Sequence, residues 1–269
     1  MRSTIIRFLL TGLVAVLAAC GTAPERAAAE PPAPAEESGS ARYVTVTGDL
    51  RPQNGSPVFL GVSNRKRNRD EEEAEAIMHI AQQASRYLQT SAIYQYVSQR
   101  GSQGVGYLDD ITTHWDEDLA TELTDSVEVI DSVRTDTATL VRARVTGLPA
   151  APDLSTIETS GDGASAPRWV STTPEIPGHL VAVGAAQQRR TWRDTIDFTD
   201  QEALKAILIQ TGSTVRMVED RRSVERRGTT ATVTSAEEAQ ATLSGFQVIA
   251  RYATPGGRYH YSLAIAREE

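Results

Sequence analysis

Two stretches of this 269-residue chain repeat one pattern, and that pattern limits the folds open to it. Val58-Phe59-Leu60-Gly61-Val62 and Leu180-Val181-Ala182-Val183-Gly184-Ala185 are apolar, strand-like runs that end near a glycine. Arginines follow both runs: Arg65, Arg67 and Arg69 in one case, Arg189, Arg190 and Arg193 in the other. A helical pattern comes next. In the first copy Ala74, Ile77, Met78, Ala81, Ala84 and Leu88 recur at three- and four-residue steps, the spacing of one helix face. Asp70 to Glu73 put negative charge on its first turn, where the helix dipole favours it. In the second copy Thr199 and Glu202 have capping-box spacing, and Ala203, Ala206, Ile207 and Ile209 continue an apolar face.

The likeness continues downstream. β-branched and aromatic runs follow, Ile93 to Val97 and Val215 to Val218. A second helix is then expected in each copy, along Ile111, Trp115, Leu119 and Leu123, and from Ser235 with Glu238 through Ala239 and Leu243. Each copy closes in two strands. Val127 to Ile130 pairs with Leu140 to Val145 across Thr135-Asp136-Thr137. Gln247 to Ala250 pairs with Tyr259 to Ala266 across Pro255-Gly256-Gly257, the last strand alternating with period two. The expectation is an α+β fold: a tandem duplication of a β-α-β-α-β-β unit, mostly antiparallel sheet covered by helices. The first unit is placed at residues 42–147 and the second at 179–269, with a Pro/Gly/Ser-rich linker or long surface loop at 148–178 between them. Each unit is long enough for its own core, and joining of the two sheets edge to edge into one domain is equally open.

The amino terminus bears on location. Arg2 and Arg7 precede an apolar run from Phe8 to Leu17, which closes with Leu17-Ala18-Ala19-Cys20-Gly21. That order is the grammar of a secretory signal, residues 1–19, and the run is too short to span ~30 Å of hydrocarbon. Leu-Ala-Ala-Cys resembles the lipobox, which implies cleavage before Cys20 and acylation of that residue. Cys20 is the only cysteine, so a disulfide framework and a thiolate metal site are excluded. Gly21 stands where aspartate resembles an inner-membrane retention signal in enterobacterial lipoproteins, so outer-membrane delivery is expected. Residues 20–41 read as the lipidated cysteine and a disordered Ala/Pro/Glu/Ser tether; ~20 such residues reach roughly 25 Å on average.

Catalytic signatures do not emerge. The formal net charge of -8 argues against nucleic-acid binding. His79, His114, His179 and His260 are scattered, without two ligands on one helix face. Asp109, Asp110, Asp116, Glu117 and Asp118 lack the alternation and central glycine of a calcium loop, and read as a solvated face. Arg100 to Gly106 carries three glycines but no P-loop lysine, and reads as a flexible connection. No cofactor or metal is expected. The arginine-rich turns have the best claim to a site: Arg65, Arg67, Arg69, Arg189, Arg190, Trp192 and Arg193, with Arg221-Arg222 and Arg226-Arg227 further on. Arginine beside tryptophan suits an interface with anionic headgroups, an acidic partner or peptidoglycan carboxylates; the alternative is solubilising charge at loop tips.

In the C-terminal half, Val181-Ala182-Val183-Gly184, the Ala203–Ile209 helix, and Gly245-Phe246-Gln247-Val248-Ile249 running into Tyr259-His260-Tyr261-Ser262-Leu263-Ala264 form a sequence that resembles the LPP-twenty-like bacterial lipoprotein family. A weaker echo covers Val58 to Val145. The resemblance implies an outer-membrane lipoprotein without known catalysis, with relatives among flagellar-base and envelope-assembly factors. The functional expectation is a lipid-anchored, non-enzymatic structural or adaptor module of the bacterial cell envelope, facing the periplasm. Its partners would be the membrane through the lipid, and an envelope protein or peptidoglycan. The alternatives are a regulator of envelope or cell-wall assembly, such as a synthase activator, and after that a peptidoglycan-acting enzyme.

Overall fold

The computed structural model describes residues 48–101, 104–159, 165–211, 218–222 and 232–267. Cys20, the signal and the tether lie outside the described residues, as do Val215 to Met217, Arg226 and Arg227. The architecture is mixed α+β, with three antiparallel sheets and three α-helices among the described residues.

The first half runs β1 (Val58–Asn64), α1 (Arg69–Leu88), β2 (Thr90–Gly101), β3 (Gly104–His114), α2 (Glu117–Leu123), β4 (Val127–Arg134) and β5 (Ala138–Val145). The second runs β6 (His179–Gln187), α3 (Trp192–Gln210), β7 (Val218–Arg222), β8 (Thr232–Leu243), β9 (Gln247–Ala253) and β10 (Tyr259–Arg267). Sheet one has the order β1-β5-β4 and sheet two the order β6-β10-β9. The third, β3-β2-β8-β7, takes one hairpin from each half, with β2 and β8 paired from Thr90↔Leu243 to Arg100↔Val233.

The two strand–turn–helix corners match in detail. Gly61 of β1 lies under α1 so closely that a Cβ would collide with the Ala76 carbonyl, and Gly184 of β6 meets the Thr199 carbonyl of α3 in the same way. Asn68 caps α1 by accepting from Asp70 N–H, and Thr191 caps α3 by accepting from Asp194 N–H. Lys66 N–H donates to Glu72 Oε1 at 2.8 Å, and Arg189 N–H donates to Thr195 Oγ1 at 3.0 Å. Gly61 and Gly184, Ala76 and Thr199, Asn68 and Thr191, Lys66 and Arg189, and Glu72 and Thr195 are each 123 positions apart.

The core joins the halves. α1 buries Ala76, Ile80, Ala84 and Tyr87 against Phe59, Val141 and Val145 on one face of sheet one. Its other face, with Val58, Leu60, Val62 and Leu140, shares a cluster with Ala182, Leu204, Leu208 and Ala264, so α3 packs between sheets one and two. The outer face of sheet two is covered by the stretch after β5, whose Leu154, Trp169 and Ile176 pack on Val181, Ile249, Leu263 and Ile265. The Pro- and Gly-punctuated stretch is thus a packed strap where it is described.

Several expectations differ from the structure. The helix expected from Ser235 is strand β8: Thr232, Val233 and Thr234 open it, and eleven residue pairs with β2 override the helical preference of the Ala/Glu run. The helix expected from Ile111 begins only at Glu117, capped by Asp116; Ile111 belongs to β3. Thr199 does not cap α3, which starts a full two turns earlier; its hydroxyl donates to the Thr195 carbonyl inside the helix. Ile209, placed on the apolar face, is 50 % exposed. The two closing hairpins and their turns are as expected, and Gly256 and Gly257 both adopt positive φ.

Candidate functional site

β1 is an edge strand, and its open edge is closed by side chains rather than by another strand. Gln247 Nε2 of β9 donates to the Val58 carbonyl at 3.0 Å, and Gln83 Nε2 of α1 to the Leu60 carbonyl at 2.7 Å. Arg193 Nη1 of α3 donates to the Val62 carbonyl at 3.0 Å, while Val62 N–H donates to His79 Nδ1 of α1 at 3.1 Å.

Around this edge α1 and α3 face each other through a polar seam. His79 is 1 % exposed, and because Nδ1 accepts from Val62, the hydrogen sits on Nε2, 3.1 Å from Asp197 Oδ1. The imidazole is therefore neutral. Burial pushes its pKa down; Asp197 pulls it up, and Arg193 and Arg86 push it down again. Arg193 Nε answers the Asp197 carboxylate at 2.6 Å, and its Nη2 reaches Gln82 Oε1 at 3.3 Å. Burial pushes the Asp197 carboxyl up, but hydrogen bonds from His79 and Arg193 and their charge environment hold it well below the usual range. One turn along α3, Asp200 takes Arg251 of β9 in a fork, at 2.5 and 2.7 Å, and receives Ser262 Oγ of β10 at 2.7 Å. Arg86 of α1 stacks on Trp115, its guanidinium carbon 3.9 Å from the ring centroid.

At the first corner Glu72 is fully buried yet collects Arg65 at 2.6 Å, Arg69 at 2.8 Å, Lys66 N–H and the Thr139 hydroxyl. Burial alone would push its carboxyl up; the four hydrogen bonds outweigh it and bring the pKa down to about 2. Arg69 also donates to the Thr135 carbonyl, tying the corner to the β4–β5 turn.

The arginines named from sequence thus divide. Arg65, Arg69 and Arg193 hold elements together. Arg189 stacks on Phe198 at 3.5 Å. Trp192 meets His260 edge to face at 5.2 Å and packs on the shared core. Arg67 and Arg190 are exposed at matching turn positions. Arg221 and Arg222 fall on β7.

The histidines separate as well. His260 Nε2 lies 2.9 Å from the Gly257 carbonyl, and burial lowers its pKa. His179 Nδ1 lies 3.0 Å from the Pro177 carbonyl, and His114 is exposed at the end of β3. Of the acidic cluster, Asp109 pairs with Lys205 of α3 at 2.6 Å and Asp116 caps α2. Among the described residues no group of three His, Cys, Asp or Glu side chains is placed to hold a metal ion. Gly101 pairs with Gly104 at the end of the β2–β3 hairpin.

Sequence reading missed Glu72, Arg86, Asp197, Asp200, Gln247, Arg251 and Ser262. One signal was available: Arg193, Asp197 and Asp200 recur at the i, i+4, i+7 spacing of one helix stripe. Starting the helix at Thr199 hid it.

No protein-family model matches the chain, and neither the curated proteins nor the solved structures include a significant match to it.

Proposed function

We propose that this protein is a lipid-anchored module of the bacterial cell envelope that acts by holding or presenting other components, without catalysis of its own, its two halves having arisen by tandem duplication of a strand–helix unit. Three observations support it. The lipobox-like Leu-Ala-Ala-Cys supports acylation at Cys20. The common 123-residue offset of cap, glycine contact and turn hydrogen bond supports the duplication. The observation that carries the module reading is the seam, whose charged groups bond β1, α1, α3, β9 and β10 to one another. Among the described residues no helix is long and apolar enough to cross a membrane, so attachment in this reading rests on the lipid. The LPP-twenty-like resemblance belongs to the same proposal, as does outer-membrane placement facing the periplasm.

The docking surface in this reading centres on Arg67 and Arg190, exposed at equivalent turns, with Arg189 beside the second. Its partner is an acidic envelope protein or peptidoglycan. The test has two arms. Cys20→Ser is expected to move the protein from the membrane fraction to the soluble one; continued membrane attachment with unaltered processing removes the anchor. Incubation of the protein with peptidoglycan is expected to give co-sedimentation or no binding, the latter pointing to a protein partner. Release of soluble fragments would establish an enzyme instead.

A further inference from the structure

Between α1, α3 and β9 the packing leaves a small, partly open cavity of about 20 Å³. Gln83 and Arg86 of α1, Asp200 of α3 and Gln247 of β9 line it, with Phe59, Phe246 and Val248; the Gln83 amide nitrogen is spent on the Leu60 and His79 carbonyls. Gln247 is 1 % exposed. Its Nε2 is spent on the Val58 and Leu50 carbonyls, while its buried Oε1 accepts from nothing in the protein. Arg86 Nε is likewise buried and donates to no protein atom. Asp200 Oδ2 takes one bond, from Arg251 Nη2 at 2.7 Å, and has a lone pair to spare. Arg86, Gln247 and Asp200 therefore bring one donor and two acceptors with bonding capacity to spare to a space that holds a single solvent molecule.

We propose that this cavity is a binding site for one internal water molecule, which accepts from Arg86 Nε–H and donates to Gln247 Oε1 and to Asp200. A water supplies this set of one acceptor and two donors. An anion does not, because Gln247 Oε1 and the Asp200 carboxylate present lone pairs to it. A dry cavity leaves a charged donor and an amide oxygen without partners, which is costly for each buried polar group. The bound water is the joint at which the first-half helix, the second-half helix and sheet two meet. It extends the seam from Asp197 and His79 to the Asp200–Arg251 pair.

The experiment uses the full chain labelled with ¹⁵N in its arginine side chains. The Nε–H resonance that disappears in Arg86→Lys is expected to show a dipolar contact to water with the sign of a rigidly held molecule. Filling the space gives a second readout. Val248→Ile puts an extra methyl group against the cavity. With a water displaced and two polar groups left dry, Tm is expected to fall by roughly 4 °C. In an empty cavity the same methyl group gains contacts and raises Tm. Absence of the water contact at Arg86, or a higher Tm in Val248→Ile, overturns the proposal.

Discussion

At the scale of single residues, the two corner glycines and Glu72 do the most. Gly61 and Gly184 were visible in the sequence as strand-end glycines, but their reason was not. They are needed because a helix backbone rests directly on the strand, not because of a turn or a positive φ. A side chain at either point must push a helix off its sheet. Gly61→Ala and Gly184→Ala are each expected to destabilise by about 3 kcal/mol or more in denaturant titration, the upper end of overpacking costs. Gly55→Ala, a position in open space, separates this from general glycine effects, since only its φ of 76° opposes the change. Glu72 tests a different force. Its folded pKa of about 2 lies below the model-peptide value of 4.5. Its contribution is therefore complete above about pH 4.5 and is lost as pH falls towards 2. Glu72→Gln should weaken the fold at neutral pH and flatten the stability profile between pH 4.5 and 2.5; an unchanged slope would show that the cluster does not titrate with the fold.

At the scale of elements, legibility followed how many faces an element buries. α1 covers one sheet face, and its three- and four-residue steps marked it as a helix, but it buries Ala76, His79, Ile80, Ala84 and Tyr87 rather than the expected stripe, of which only Ala81 and Ala84 are buried and Ala74 is exposed. α3 buries Thr195, Ile196, Thr199, Asp200, Ala203, Leu204, Ile207 and Leu208 because it lies between two sheets and against α1, and a stripe that broad blurs the period. Polar residues within it also read as a helix start. β8 was misread because Ser235 to Ala241 favours helix locally, while the partner that makes it a strand, β2, lies far away in sequence. The α1–α3 seam carries a pH signature. His79 is held below its unfolded value of 6.5, so the unfolded chain takes up a proton that the fold refuses. Stability is level above about pH 6.5 and falls as pH drops below it. Protonation at Nδ1 also sets N–H against N–H at Val62. His260, lowered by burial too, adds to the same window. In urea titrations from pH 7.5 to 5, His79→Gln should remove part of the decline and His79→Gln with His260→Gln most of it. A decline of equal size in the double variant would assign the effect to other groups.

At the scale of the molecule, the order of strands and helices along each half suggests two independent units, and the three-dimensional arrangement does not separate them. The strand–glycine–helix order of the two corners was legible because it rests on local spacing; the joining of the halves was left open because it depends on pairing across more than a hundred residues. Three features bind the halves. β2 of the first half is the neighbour of β8 of the second along nearly its whole length. One cluster holds Val58, Leu60 and Leu140 together with Ala182, Leu204 and Leu208. The segment just before β1 also reaches sheet two, Leu50 N–H donating to the Ile249 carbonyl at 3.0 Å. Removing the first half therefore strips β8 of a partner, uncovers one face of α3 and leaves Arg193 without Val62. A chain of residues 179–269 alone is expected to be unfolded or molten, with weak near-ultraviolet circular dichroism and no cooperative denaturant transition. The whole chain should unfold in one transition whether followed by Trp169 in the strap or by Trp115 beside α1. Two separated transitions, or a cooperatively folded 179–269 fragment, would mean that the two halves are independent and that the seam merely docks them.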